Sequence, residues 1–359
     1  MKRTNVLWIL TLALFLGPSL ADGQTVRITS LGSRTGDFCE LDRTLMFEDP
    51  TGVTILYDPG FTTAGGTDRR LGDVHAIILS HAHLDHIGDP KLDQDPDAGG
   101  ALCSGLTGAA QRGTAPFTAA PNTNLAEIAV AKNSAVVVAR HMATFIAGKI
   151  QNVRRVPTPA CPAAAGLIAV PRSSPCTANL DFGGKRTVTL SGGIAGVQIA
   201  IVPAHHDNNV NPSLLIDPLR AELVGNGLPA SVGLSTGYVL TFSNGLRVYL
   251  SGDTGITSEM ETVVNRFYHA QLAVVNFDES GTKMGPEEAA FAVSELIKPR
   301  AVIPLHMNEE AATGGRVNPG TRTAQFAGLL VRNRIPVYVP MSGLTMEFDR
   351  AGYCVRGCR

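Results

Sequence analysis

Residues 79–89 read LSHAHLDHIGD and place His81, His83, Asp85 and His86 within six positions, in a chain of 359 residues that has only nine histidines. One neutral imidazole is easily satisfied in a core. Three beside a carboxylate call for a shared partner, and a divalent cation takes imidazole nitrogen and carboxylate oxygen together. The apolar run AIILS before the cluster predicts a buried strand, and a Gly-Asp turn follows it. The cluster therefore sits on the exit loop of a strand. Any further donors must come from other strands leaving the same edge of a sheet.

Three other apolar strands end that way. QIAIVPA runs into His205 and His206, RVYLSG into Asp253, and AVIPL into His306. Six of the nine histidines thus lie at strand ends. Alternation along an extended chain points His81 and His83 in one direction. Asp85 and His86 follow after the chain has turned, so they face a second position nearby, and Asp253 suits a carboxylate shared between two ions. Metal-bound water loses a proton near neutral pH and becomes a nucleophile, while the ions stabilise the anion formed by its attack. Asp85 and Asp253 are accordingly the candidate catalytic carboxylates. Asp58, in LYDPG, is expected to orient a ligand rather than to bind metal, and Asp207 to hydrogen-bond its own loop. His75, His141 and His269 have no companion donors.

The rest of the chain alternates hairpins with βα units. TVRITSLG reads as a strand, and RTLMFEDPTGVTILYDPG as a hairpin turning at Asp49–Gly52. NLAEIAVAKNSAVVVARHMATFIAG gives helix, strand and helix. KRTVTLSG and VQIAIVPAHHD are strands, and GYVLTFSNGLRVYL is a hairpin turning at Ser243–Gly245. Helices at SEMETVVNRFY, GPEEAAFAVSELI and TAQFAGLLVRN alternate with the strands LAVVNF, AVIPLHMN and VYVPMSG. Hairpins come first in each half and βα units later, which suggests two mixed sheets packed face to face with helices outside. Gly-, Ala- and Pro-rich stretches near 90–124, 153–180 and 212–233 are expected to be irregular insertions.

Lys2 and Arg3, the apolar run Val6–Leu16 and the small residues Ser19 and Ala21 match a cleavable leader ending at Ala21. Eleven residues fall short of the about 20 needed to span a bilayer. Residues 1–21 are expected to be a signal peptide, and 22–359 a single domain that is periplasmic or secreted without a stable membrane anchor. Six cysteines fit an oxidising compartment. Cys161 and Cys176, which bracket a Pro- and Ala-rich loop, are the expected disulfide; Cys354 with Cys358 and Cys39 with Cys103 are the remaining pairs. With 31 acidic against 30 basic residues, no basic footprint for nucleic acid is present, and a small molecule is the expected partner.

SHAHLDHIGD resembles the His-x-His-x-Asp-His signature of the metallo-β-lactamase superfamily. The segments PAHH, SGDTG and MGPEEAAFAVSELIKPRAVIPLHMN are similar to those of one branch, the metal-dependent hydrolases allied to ascorbate-6-phosphate lactonases and the N-acyl-phosphatidylethanolamine phospholipase D group. The resemblance covers about 26–90, 125–152 and 182–348. It implies an α+β, αββα sandwich, the metallo-β-lactamase fold, with the site at the edge between its halves. It assigns His81, His83 and His206 to one metal, Asp85, His86 and His306 to another, and Asp253 between them. It leaves His205 as the variable neighbour of His206. Two Zn²⁺ ions are expected, although Mn²⁺ or iron suits the same donors. His205, Asp278 and Glu279 are the candidates for touching substrate.

The implied activity is attack by a metal-bridging hydroxide on an ester-like bond: a lactone, carboxylic ester or phosphodiester. A β-lactam-hydrolysing enzyme and a non-catalytic metal-binding protein are the alternatives. An aspartic-protease reading of YLSGDTG fails, because no second Asp-Thr/Ser-Gly is present.

Overall fold

The computed structural model describes residues 24–89, 91–92 and 123–359. The expected leader (1–21), most of the 90–124 insertion and Cys103 of the expected Cys39–Cys103 pair lie outside the described residues.

In chain order, strands β1 (Val26–Ser30), β2 (Leu45–Glu48) and β3 (Thr54–Tyr57) precede β4 (Ala76–Ile78) and a single helical turn, α1 (Leu84–Ile87). Helix α2 (Asn124–Lys132), β5 (Ala135–Ala139) and helix α3 (Arg140–Arg154) follow. Then come β6 (Leu167–Val170), β7 (Cys176–Leu180), β8 (Lys185–Leu190) and β9 (Gly196–Pro203). Helix α4 (Leu219–Gly225) leads to β10 (Thr236–Thr241) and β11 (Arg247–Leu250). A π-wound helix (Met260–Asn265), β12 (Leu272–Asn276), helix α5 (Pro286–Phe291), continued by π-type turns to Ile297, and β13 (Ala301–Leu305) come next. Helix α6 (Arg322–Val331), β14 (Thr345–Phe348) and β15 (Cys354–Arg356) end the chain.

These strands form an eight-stranded sheet, β15-β14-β1-β2-β3-β4-β5-β7, and a seven-stranded sheet, β13-β12-β11-β10-β9-β8-β6. Each sheet is mixed. In the first, β1 to β3 are antiparallel and β3, β4, β5 and β7 parallel. In the second, β9 to β11 are antiparallel and β11 to β13 parallel. Hairpins first and βα units later is the order expected from the sequence.

Alternation decides which face of the first sheet meets what. Ile28, Phe47, Ile55, Tyr57 and Ile78 share one apolar cluster with Ile199, Tyr238 and Leu240 of the second sheet. Their neighbours Met46, Leu56, Ile77 and Val136 pack instead on α2 and α3, through Leu125, Ile128, Met142 and Ile146. The second sheet is covered on its other face by Val264, Val293, Ile297, Phe326 and Leu330 of its helices. The result is helix, sheet, sheet, helix.

Three segments differ from the sequence expectation. Residues 153–180 are not irregular throughout, for they carry β6 and β7, which pair parallel with β8 and β5 at the edges of the two sheets. Their runs LIAV and CTANL are short and flanked by Pro and Ser, so composition hid them. The segment 212–233 likewise contains α4, and Ala230–Ser231 pairs with Asn209–Val210. VYVPMSG, read as a strand, contributes only isolated bridges, from Val337 to Val302 and from Ser342 to Ser30. The strand is TMEF just beyond it, which pairs with β1 in the first sheet.

Candidate metal centre

Strands β4, β9, β11 and β13 run out at one edge of the sandwich. His83 keeps an extended backbone, and α1 then turns for a single helical turn that ends at Gly88 in the left-handed region (φ +72°). Gly88 N–H returns to Leu84 O at 2.9 Å. A side chain at Gly88 would collide with Asn124, its Cβ lying 2.4 Å from the Asn124 Cβ. This tight turn brings Asp85 and His86 back to the strand end, so that the His86 ring packs on His81 with centroids 4.1 Å apart.

Three groups of donors result, each with its ligand atoms within 4.8 Å of one another: His81, His83 and His206; His81, His86 and Asp253; and Asp85, His86 and His306. In the first group the imidazole centroids are 4.4 Å (His81–His83), 4.9 Å (His81–His206) and 5.1 Å (His83–His206) apart. His81 Nε2 is buried without a hydrogen-bond partner. A buried orphan lone pair is costly unless something binds it, so this donor set fits a divalent cation. In the third group His306 Nε2 lies 3.0 Å from Asp85 Oδ2, 3.1 Å from His86 Nε2 and 3.4 Å from Asp253 Oδ2. Two imidazole nitrogens and two carboxylate oxygens crowded this closely also suit a cation.

Neighbouring side chains hold the rings in place. His86 donates from Nδ1 to Asp58 Oδ2 at 2.7 Å, which leaves Nε2 facing Asp85 and Asp253. Asp58 is itself fixed by Ser80, whose N–H (2.8 Å) and hydroxyl (2.7 Å) it accepts. His83 donates from Nε2 to Asp207 Oδ1 at 2.7 Å, and His206 from Nδ1 to the Thr282 carbonyl at 3.0 Å. Asn276 Nδ2 donates to Asp253 Oδ1 at 2.9 Å. Second partners of this kind set tautomer and aim in metal sites. Asp58 and His306 both have left-handed backbones, φ +42° and +61°, which non-glycine residues adopt at a cost that the surrounding structure must sustain. Gly252, which precedes Asp253, is at φ +60°, and a Cβ there would lie 2.7 Å from the Thr236 carbonyl oxygen.

At His81, His306, Asp253 and Asp85 the electrostatics favour the protonation states that ligands need. At His86 burial is outweighed by the carboxylates of Asp85, Asp253 and Asp58, which raise the imidazole to about 10, so an ion there displaces a proton. Burial and the neighbouring His86 push His81 well below the usual histidine range. Burial and Arg43 bring His306 down to about 4. Burial alone would raise Asp253, but His306, His86 and Lys283 overcome it and hold the carboxyl well below its ordinary value. Asp85 is lowered in the same way by His86 and Arg43. Neutral imidazoles and ionised carboxylates are the forms that bind metal.

His81, His83, Asp85, His86, His206, Asp253 and His306 come together. His205, one residue from His206, is exposed and outside all three groups; its backbone N–H donates to Thr254. Asp278 is buried, accepts from Ser280 and from Asn308 Nδ2 (2.6 Å), and lies 3.3 Å from Lys283 Nζ. Asp278 and Glu279 line a cleft of about 460 Å³ that also contains Lys283. A second cleft, of about 520 Å³, opens beside His83 and Asp85 and is walled by Pro212, Pro229 and Ala230 of the 212–233 segment. Cys161 and Cys176 form a disulfide, as do Cys354 and Cys358. Among the described residues no helix is long and apolar enough to cross a membrane.

Reading the sequence alone missed Arg43, Ser80, Asn276, Lys283 and Asn308. Arg43 Nε lies 2.9 Å from Asp85 Oδ2, an ionic contact without good hydrogen-bond alignment, and its Nη2 donates to Asn308 at 2.6 Å. The usable signal was position. Ser80 and Asn276 are polar residues closing apolar strands at the same edge as the ligands.

The metallo-beta-lactamase superfamily model matches residues 44–92, and the beta-lactamase superfamily domain model matches 164–307. A UPF0173 metal-dependent hydrolase of Cupriavidus taiwanensis is 26% identical over 307 residues, covering 83% of this chain and 82% of that one. A second, from Cupriavidus necator, is 27% identical over 306 residues, covering 83% and 81%. The solved structure of a metallo hydrolase from the hyperthermophilic archaeon Ignicoccus hospitalis superposes with a TM-score of 0.53 at 19% identity, covering 90% of this chain and 99% of that one. Its likeness is in the fold.

Proposed function

The chain belongs to the metallo-β-lactamase superfamily and is a metal-dependent hydrolase, and from that premise we propose that it uses two divalent cations to open an ester-like bond. The bond is a lactone, carboxylic ester or phosphodiester of a small molecule. His81, His83 and His206 would hold one ion and Asp85, His86 and His306 the other, with Asp253 shared; Zn²⁺ suits this nitrogen and oxygen set. Ions bound there supply Lewis acidity and a water acidic enough to attack at neutral pH.

The protein's own groups do the rest. Asp58 and Asp207 keep His86 and His83 aimed inward, and Asn276 fixes the rotamer of Asp253. Asp85, with its side chain 24% exposed, stands where the buried donors meet the cleft beside His83, so it is the carboxylate that an incoming bond meets. The proline-flanked 212–233 segment walls that cleft and restricts what enters. The leader-like N-terminus and two disulfides among the described residues support export to an oxidising compartment.

The observation that carries this reading is the convergence of seven donors from four strand ends at one edge. It is tested by comparing His206→Ala with His205→Ala. The first should lose metal and hydrolysis; the second should keep most of both. The reverse result would place the register of β9 one residue out, which exchanges the faces of a strand.

A further inference from the structure

Lys283 sits in the centre and no step above uses it. Its side chain is only 4% exposed. Nζ lies 2.5 Å from Asp253 Oδ2 and 3.2 Å from both ring nitrogens of His306. It therefore touches the carboxylate oxygen and the imidazole that a cation between Asp253 and His306 would use. Arg43 stands 2.9 Å from Asp85 Oδ2, so both carboxylates on that side already face a protein cation. The His81, His83 and His206 group is different. The side chain paired with it is an anion, Asp207, at 2.7 Å from His83.

We propose that Lys283 is a tethered cation that competes with the second metal ion for Asp253 and His306, so that the two ions bind with very unequal affinity. The inference rests on the two-ion reading given above. A divalent ion and an ammonium at one carboxylate oxygen repel each other strongly at such separations. The second ion therefore binds only when Lys283 moves. The structure supplies a place for it to go. Asp278 Oδ2 is 3.3 Å from Nζ, and Asp278 is held by the Ser280 N–H (2.7 Å) and hydroxyl (2.6 Å) and by Asn308 Nδ2. A short swing carries the ammonium from Asp253 to Asp278 without leaving it uncompensated. The first ion loses only its share of Asp253 in this exchange and keeps its three imidazoles, so it is affected far less. The resting protein thus carries one tightly held ion and takes the second only where the free ion is plentiful.

The test is titration of the metal-stripped full chain with Zn²⁺ against a chelator of known affinity, for wild type, Lys283→Met and Asp278→Asn. Mn²⁺ loading followed by spin resonance reports directly whether two ions are close. Wild type should show one tight ion and a second at least about tenfold weaker, a difference of about 1.4 kcal/mol. Lys283→Met should tighten the second at least about tenfold and change the first far less. Asp278→Asn should weaken the second, because the displaced ammonium loses its anchor. A first ion that is still tightly held and a native far-UV spectrum verify folding of each variant. Two ions of equal affinity in wild type, or a second ion that Lys283→Met leaves unchanged or weakens, overturn the competition while leaving the two-ion reading intact. A second ion bound by none of the three proteins overturns both.

Discussion

The imidazole of His86 donates from Nδ1 to Asp58 at 2.7 Å, and both side chains are buried. Asp58 lies 28 positions earlier, on the turn after β3, with its backbone at φ +42°. That strained backbone points the carboxylate at His86 and Ser80 together. Asp58→Ala should weaken metal binding by about 10- to 100-fold, the usual effect of losing such a partner, while the fold survives. Chelator competition measures it. Unchanged affinity would mean that packing alone aims His86.

The two halves of the sandwich meet at the same edge. Tyr238 on β10 donates its hydroxyl to the Leu79 carbonyl at 2.7 Å, and Thr236 donates its N–H to the Ser80 carbonyl at 2.9 Å. Tyr238→Phe would leave a buried carbonyl short of a donor, and should cost about 1–3 kcal/mol by denaturant unfolding. Because the lost bond supports the loop carrying His81, metal should restore part of that stability. An unaltered midpoint in the metal-free protein would contradict this.

Lys149 on α3 is buried and donates to the Leu214 carbonyl at 2.6 Å, tying the helix to the segment that walls the cleft. Burial, partly offset by Asp89, lowers its ammonium from 10.5 to about 8. Between those values the unfolded chain holds a proton that the folded one has released, so this residue's contribution to stability rises with pH across that window. Below pH 8 the penalty is fully present, at most about 3 kcal/mol. The melting temperature of Lys149→Met relative to wild type should therefore change most between pH 8 and 10.5 and level off on either side. A difference that is constant with pH would refute the assignment.

The Cys161–Cys176 disulfide closes a loop of sequence separation 15 and fastens it to β7. Replacing both cysteines with serine should lower stability by about 3 kcal/mol on the chain-entropy estimate and leave metal content unchanged, since neither cysteine belongs to a donor group. Loss of metal in that variant would tie this loop to the centre.

Much of the centre was legible in the sequence because each donor ends an apolar strand, and strand ends leaving one edge converge. His205 and His206 could be distinguished only by alternation, and the structure places His205 at the surface. Arg43, Lys283 and Asn308 were not legible. Each lies on a loop whose path depends on packing between distant elements, as when Arg43 meets Asn308, 265 positions away. The strands β6 and β7 were hidden for a related reason. Four or five residues at a sheet edge take their order from the neighbouring strand rather than from their own periodicity.

The central claim is that hydrolysis follows ion occupancy at the donors gathered around Asp253. The measurement that tests it most directly is the rate of the metal-stripped full chain as Zn²⁺ is added back, on a panel of lactones, carboxylic esters, phosphodiesters and β-lactams. Turnover should be absent without metal, should rise with occupancy on an ester-like substrate, and should fall by orders of magnitude in Asp253→Asn. Hydrolysis that persists in the stripped protein, or near-normal turnover by Asp253→Asn carrying two ions, would contradict it.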